Sequence, residues 1–256
     1  MNEVALYNRY NLLIDTVLKW KVIPLPCLMD VIKSTITPHS FRQNIRALEK
    51  GNLLKSSLYG VGREKILHPS SELISRQAPH LSSEVLKENL QHDALVTKLS
   101  LALLKYPLFK NVELPHEYKN KSKHYGSIYK DIVPDAVFWG EENGENIFVA
   151  LEVELWRKER TRVFEKFLKY AKSDFFHFVF YFFVFESSFD SYKKRLKELI
   201  EEVRSGEDKR FLNEKIVLVH TDALLGKMTS LGSANVYVNE TEKTFKELLG
   251  DEKMDF

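Results

Sequence analysis

Three carboxylates in strand-like segments near the middle of the chain are the residues best suited to chemistry. Glu152 and Glu154 lie in the apolar run 151–155, and Asp135 lies in a second such run, 133–138. Side chains two residues apart in a strand point the same way, so Glu152 and Glu154 share one face. Buried acids are costly unless they are paired, hydrogen-bonded or bound to a metal. The pattern therefore predicts a metal site on neighbouring strands, with Asp135, Glu152 and Glu154 as ligands.

The chemistry of these ligands limits which metal could bind and which reaction the site could support. Carboxylate oxygens are hard ligands that suit Mg²⁺ or Mn²⁺. Hydrolysis of a phosphodiester uses such a metal to polarise the phosphate and to lower the pKa of a water molecule. We therefore interpret the three acids as a nuclease-type site.

An α/β domain over residues 89–256 is expected to position these acids. The hydrophobic pattern predicts, in order, a helix at 89–105, strands at 111–118, 133–139 and 146–155, a helix at 158–172, a strand at 176–185, a helix at 189–204 and a strand at 216–220. A turn at 142–145 joins the second and third strands. The near-continuous apolar strand 176–185 is typical of burial on both faces of a mixed sheet.

The pattern of residues 1–70 predicts a separate winged helix-turn-helix domain. Residues 71–88 are predicted to form a connector. Helices at 7–20 and about 26–32 precede a third helix that starts after Thr37 as N-cap and ends near Gly51. Strands at 53–57 and 63–68 would form the hairpin wing.

The third helix has an apolar face and a polar face. The polar side chains that we expect to contact double-stranded DNA are His39, Arg42, Gln43, Arg46 and Lys50 of this helix, with Arg63 of the hairpin. Residues 1–70 carry 10 Lys/Arg and 5 Asp/Glu, a net charge of +5, whereas the whole chain is at +2. The alternative is a small helical domain whose polar face is only solvated. The basic segment 119–125 leaves the same two options open, a contact with phosphates or a solvated loop.

Composition excludes some classes of protein. The 256 residues are 44% hydrophobic and 29% charged, as in ordinary globular proteins. Cys27 is the single cysteine, so a disulfide framework and a cysteine-based zinc site are excluded. The N-terminal residues lack the pattern of a signal peptide, and no apolar run is long enough to cross a bilayer, so we expect a cytoplasmic protein without a membrane partner.

The order of these pieces resembles the PD-(D/E)xK restriction-endonuclease-like fold and, more narrowly, the replication-relaxation family. That family includes MobC-type accessory factors of plasmid mobilisation and joins a winged helix to a nuclease-like domain. The matching segments are 41–48, His92-Asp93, 133–136, 151–154 and 166–170. The resemblance covers roughly residues 7–185 and implies a role in mobile-element DNA processing, beside a relaxase or another DNA-processing protein.

One position departs from that pattern. The family motif places lysine two residues after the second acid, where this chain has Glu154. Some members of the fold carry the lysine on the following helix, and the resemblance then implies Lys166 as the catalytic lysine. The other reading is that the basic face of this helix is solvated or contacts phosphates without chemistry.

Three functions remain open from the sequence. The first is a metal-dependent DNA endonuclease. The second is a non-catalytic DNA-binding accessory or transcriptional factor whose nuclease fold is a scaffold. The third is a structural replication or partition factor that acts as a homodimer.

Overall fold

The computed structural model describes residues 3–59, 63–79, 81, 85, 87–118, 132–142, 144–222 and 231–250. The chain forms two compact units, Met1–Leu101 and Ala102–Phe256.

The first unit consists of helices and a small antiparallel sheet. Its elements are α1 (Glu3–Trp20), β1 (Ile23–Pro24), α2 (Leu25–Ile32), α3 (Pro38–Lys50), β2 (Leu54–Tyr59), β3 (Glu64–Pro69), α4 (Ser71–Gln77), a 3₁₀ turn (Lys87–Asn89) and α5 (Leu90–Leu103), which continues into the second unit. The sheet order is β1-β3-β2, so the short β1 pairs with the far side of the hairpin. The three predicted helices and both predicted strands of this region are confirmed. No helix among the described residues combines the length and apolar character needed to cross a membrane.

Helix α3 follows its sequence signals closely. The Thr37 hydroxyl accepts the Ser40 N–H at 3.3 Å, which caps the N-terminus. Phe41, Ile45 and Leu48 are buried. At the other end Gly51 has φ −80°, and the left-handed conformation falls on Asn52 with φ 54°. The helix ends at Lys50, so Gly51 lies just past its end as predicted, and Asn52 takes the left-handed conformation, which asparagine tolerates better than most residues.

Helix α5 packs mainly within the first unit, whereas the sequence prediction placed it at the start of the second domain. The Thr97 hydroxyl donates to the Val22 carbonyl at 2.7 Å. Leu90 and Ala94 form a buried cluster with Val22 and Ile66. These side chains explain why the division falls after Leu101 rather than near 71–88.

The second unit is built on a seven-stranded mixed sheet. The strands are β4 (Phe109–Glu113), β5 (Ala136–Glu142), β6 (Glu145–Glu154), β7 (Phe178–Phe183), β8 (Ile216–His220), β9 (Asn235–Val238) and β10 (Thr241–Thr244). Their order is β10-β9-β8-β7-β6-β5-β4. Neighbours β6, β7 and β8 run parallel, and the outer pairs are antiparallel. The helices are α6 (Pro115–Tyr118), α7 (Arg160–Ala171), α8 (Glu186–Glu202), α9 (Gly206–Lys215) and α10 (Phe245–Leu249). The predicted α/β class with a mixed sheet is therefore confirmed.

Two parts of this unit differ from the prediction. The predicted strand 111–118 ends at Glu113, because Pro115 starts α6 and the Glu117 carboxylate accepts the Leu114 N–H at 2.9 Å. Helices α9 and α10 and the hairpin β9–β10 were not predicted. Leu212 is the buried residue of α9, and each strand of the hairpin has four residues, so their hydrophobic patterns are weak.

One face of the central strands carries the main core. Val137, Ala150, Tyr181 and Leu218 belong to one buried cluster with residues of α7, α8 and α9. Strand side chains alternate between faces, so Glu152 shares the face of Ala150. Strand β7 is buried on both faces, as predicted.

A substitution at Gly140 tests how closely the chain packs at the edge strands β4 and β5. A Cβ at this position would lie 2.3 Å from the Leu108 carbonyl oxygen, so backbone would have to move. We expect Gly140→Ala to lower the free energy of unfolding by about 1–3 kcal/mol in urea denaturation. Gly206→Ala is the matched control, because nothing lies within 4 Å of its added Cβ and its φ is not positive. Equal effects of the two substitutions would contradict the close approach at Gly140.

Candidate functional site

Glu152 is the centre of the site. Its side chain is 1% exposed, on strand β6 between β5 and β7. Lys166 donates from Nζ to Oε2 at 2.5 Å, and the Tyr170 hydroxyl donates to Oε1. Both carboxylate oxygens are therefore hydrogen-bonded, which offsets the cost of burying the charge.

Helix α7 presents both donors because they lie one turn apart. Residues at i and i+4 share a helix face, so Lys166 and Tyr170 reach the same carboxylate. Val163 and Phe167 are buried on α7 and anchor the helix in the core under the sheet. The lysine implied by the family resemblance thus lies in direct contact with the second acid of the predicted site.

Asp135 immediately precedes strand β5 and is fixed to strand β6. Its N–H donates to the Leu151 carbonyl at 2.9 Å, and its Oδ2 accepts the Val153 N–H at 2.8 Å. The Asp135 carboxylate is thus held at the backbone N–H that follows Glu152, and its negative charge adds to burial in raising the pKa of Glu152. The first two predicted ligands are therefore neighbours on adjacent strands.

The electrostatics of Glu152 and Lys166 are strongly coupled. Burial raises the pKa of Glu152 to about 7, although the Lys166 charge opposes the rise. For Lys166, burial lowers the pKa, but the charge and hydrogen bond of Glu152 outweigh burial and raise it overall. Lys166 is consequently a protonated ammonium at neutral pH and a hydrogen-bond donor.

Glu154, the third predicted ligand, is paired with a lysine. Its side chain is 2% exposed, and Lys158 donates to it from Nζ at 2.6 Å. Among the described residues no three or more His, Cys, Asp or Glu side chains are grouped so as to hold a metal ion together. The three-acid ligand set therefore stays a prediction, and the charges of Asp135, Glu152 and Glu154 all act on Lys166.

Sequence reasoning missed the tyrosines around the acids. The sequence analysis gave neither Tyr170 nor Tyr181 a role at the site. Tyr181 pairs in register with Glu152 on β7, and burial together with the charges of Glu152 and Glu154 raises its pKa. Its buried hydroxyl has no hydrogen-bond partner in the described part of the chain. The signal available in the sequence was one hydroxyl in the otherwise apolar strand Phe178–Phe183.

The donor set fits a small divalent cation. Mg²⁺ binds through one or two carboxylates and keeps several water ligands. Asp135 and Glu152 supply two hard oxygen donors whose mutual repulsion a cation would relieve. The Tyr181 hydroxyl is a buried polar group beside them that still has hydrogen-bonding capacity.

The predicted DNA-contacting residues lie on the exposed surface of the first unit. His39, Arg42, Gln43, Arg46 and Lys50 are all exposed on α3, and Arg63 is exposed beside β3. The acid on this helix, Glu49, is bound by Lys65 at 2.7 Å, so its charge is largely neutralised. Gln43 Nε2 lies 2.9 Å from His39 Nε2. The predicted basic segment 119–125 lies outside the described residues.

Comparison with protein-family models, with curated proteins and with solved structures gave no match to this chain.

The buried carboxylate predicts an unusual pH dependence. A pKa raised from 4.5 to about 7 means that the folded protein holds a proton that the unfolded chain releases. The stability from this group is therefore full below pH 4.5 and is lost as the pH rises through 7. In metal-free buffer, we expect the free energy of unfolding of the wild type, relative to Glu152→Gln, to fall by on the order of 3 kcal/mol across this range. A difference that stays constant from pH 4 to pH 8 would show that burial does not raise this pKa.

Proposed function

We propose that this chain binds double-stranded DNA through Met1–Leu101 and cleaves DNA phosphodiester bonds, with Mg²⁺ or Mn²⁺, through the pair Asp135 and Glu152 and the lysine Lys166. The contact between the Lys166 ammonium and the Glu152 carboxylate is the observation that carries the proposal. This contact brings a lysine to the carboxylates Asp135 and Glu152, although position 154 has no lysine. Phosphodiester hydrolysis needs these three groups, two carboxylates and a cation.

Each residue has a distinct role in this proposal. Asp135 and Glu152 would hold the metal, which when bound would polarise the phosphate and lower the pKa of a water molecule. Lys166 is already protonated, so it cannot accept a proton; it donates a hydrogen bond to charge that develops on the phosphate. Tyr170 also keeps its proton, since burial and the Glu152 charge raise its pKa well above the usual value, and it orients Glu152.

We interpret the first unit as a winged helix-turn-helix. Three helices precede the β2–β3 hairpin, and the exposed face of α3 offers arginine and glutamine for base edges and lysine for phosphates. This arrangement supports α3 as the helix that enters the major groove. The hairpin residue Arg63 would contact the backbone beside it.

The biological setting follows from the resemblance to the replication-relaxation family. We propose that the protein acts in mobile-element or plasmid DNA processing, with a relaxase or a similar DNA-processing protein as partner. The segments that support this setting are those of the winged helix and of the two acids.

A non-catalytic role is the second candidate, and one observation favours it. Both oxygens of Glu152 are occupied by Lys166 and Tyr170, while Glu154 is neutralised by Lys158. A carboxylate so fully paired can serve as a buried structural ion pair. The protein would then be a DNA-binding accessory or transcriptional factor whose second unit is a scaffold.

Cleavage separates the two candidates. We expect the wild type to nick supercoiled plasmid in Mg²⁺ or Mn²⁺, and Asp135→Asn and Lys166→Gln each to lower the rate on the order of 100-fold. Asparagine can still accept the Val153 N–H, so the Asp135 variant removes mainly the charge. The measurement is the rate of conversion to open-circular DNA on gels.

Lys169→Gln is the matched control for the lysine variant. Lys169 is exposed on the same helix, so its loss changes the same charge away from Glu152. If the wild type nicks neither supercoiled, single-stranded nor branched DNA with either metal, the cleavage proposal is wrong and the scaffold function remains.

DNA binding is tested on the exposed face of α3. We expect Arg42→Ala with Arg46→Ala to weaken duplex binding and its salt dependence, because each substitution removes a positive charge that would lie against the DNA. Lys194→Ala with Arg210→Ala removes the same charge from exposed positions, 79% and 60%, of the second unit. Equal loss of binding in both double variants would refute the assignment of α3 to DNA recognition.

A further inference from the structure

Two exposed aromatic rings lie beside the acidic site. Trp156 is 69% exposed and Phe185 38% exposed, and their ring centroids are 5.6 Å apart. Trp156 lies two residues beyond Glu154 on the chain, and Phe185 lies two residues beyond Phe183. Glu154 and Phe183 are partners in the β6–β7 ladder. The aromatic pair therefore sits at the carboxyl ends of two parallel strands, next to the end of β6 that carries the acids.

A hydrogen bond connects the two segments that carry the rings. The Arg157 Nη2 donates to the Ser187 carbonyl at 2.8 Å, and so ties the segment after β6 to the start of α8. The ring planes differ by 31°, so the two rings are tilted against each other rather than edge to face. Trp156 is the more exposed of the two and offers its ring to solvent.

The position of this pair indicates its ligand. Ligands of open α/β sheets bind outside the carboxyl ends of parallel strands. Arg157 and Arg162 are exposed in the segment that follows Trp156, whereas Arg160 is paired with Glu198 and Glu202, so two exposed cations near the rings favour an anionic ligand. Bases without a pairing partner stack on aromatic rings, whereas the bases of an intact duplex are already stacked on one another.

We propose that Trp156 and Phe185 form a stacking site for an unpaired nucleobase. The site rests on the proposed phosphodiester chemistry of Asp135 and Glu152, and it assigns to that chemistry a substrate class, DNA that is single-stranded or locally unpaired at the point of cleavage. Recognition of duplex DNA by the first unit and engagement of an unpaired base by the second are then separate steps.

Tryptophan fluorescence tests the site with little interference. Trp20 is 7% exposed and Trp139 is partly buried, so Trp156 is the tryptophan most accessible to a stacked base. The probes are an oligo-dT strand, an abasic strand of equal length and a duplex, all in EDTA so that neither metal nor cleavage contributes. We expect oligo-dT to quench the fluorescence of the full chain far more than the abasic strand does.

The variants separate stacking from charge. The affinities of the variants are measured by the fluorescence anisotropy of a labelled strand, because both substitutions remove the reporting tryptophan. Trp156→Ala should bind oligo-dT about fivefold more weakly or worse, whereas Trp156→Phe should retain part of the affinity. Affinity for the abasic strand should be the same in the wild type and in Trp156→Ala. Leu12→Ala, which removes an exposed apolar side chain from the first unit, is the control, and circular dichroism checks that each variant is folded.

Three results would overturn the stacking site. The first is unchanged affinity of Trp156→Ala for oligo-dT, and the second is an equal loss of affinity for the abasic strand. The third is self-association of the wild type that Trp156→Ala abolishes without any change in oligonucleotide binding.

Failure of stacking and failure of cleavage are distinguishable. Quenching that depends on Trp156, without nicking by the wild type, would support the base site and refute the cleavage proposal. Nicking that depends on Asp135, with unaltered oligo-dT binding by Trp156→Ala, would refute the base site and leave the cleavage proposal standing.

Discussion

A buried carboxylate at position 152 imposes the main constraint on the second unit. With 1% of its side chain exposed, Glu152 can stay in the sheet only if other groups replace the hydrogen bonds of water. Lys166 and Tyr170 provide them, and they can do so only while α7 packs across β6 with this face toward the strand. The apolar residues of α7 pack into the same core. The burial of apolar surface and the pairing of charge therefore require the same position of α7.

The same constraint gathers functional groups at one end of the sheet. Burial raises the pKa of Glu152, and Asp135, which is fixed to the backbone of β6, adds negative charge that raises it further against the opposing charge of Lys166. Parallel strands β6 and β7 end at this edge, and the exposed ring of Trp156 follows. Under the proposed function, a divalent cation held by Asp135 and Glu152 would relieve the repulsion between the two carboxylates.

Local sequence signals predicted much of this arrangement, and tertiary contacts account for what was missed. The apolar run around Glu152 and the cap at Thr37 are encoded within a few residues, so the strand and α3 were predictable. Lys166 was found through the order of family-like segments. The partnership of Glu154 with Lys158 depends on rotamers, and the assignment of α5 to the first unit depends on Thr97 reaching Val22, which no periodicity reveals. The roles of the buried tyrosines were missed for the same reason.

The most direct test of the proposed metal-dependent site is whether Asp135 and Glu152 bind one cation. Crystals soaked with Mn²⁺ at pH 8 can be examined by anomalous diffraction. The account predicts a single strong anomalous peak within coordination distance of a carboxylate oxygen from each residue, and loss of that peak in Asp135→Asn. Clear density for both carboxylates without a peak, with Lys166 and Tyr170 still occupying Glu152, would contradict a metal-dependent site and leave a buried structural ion pair.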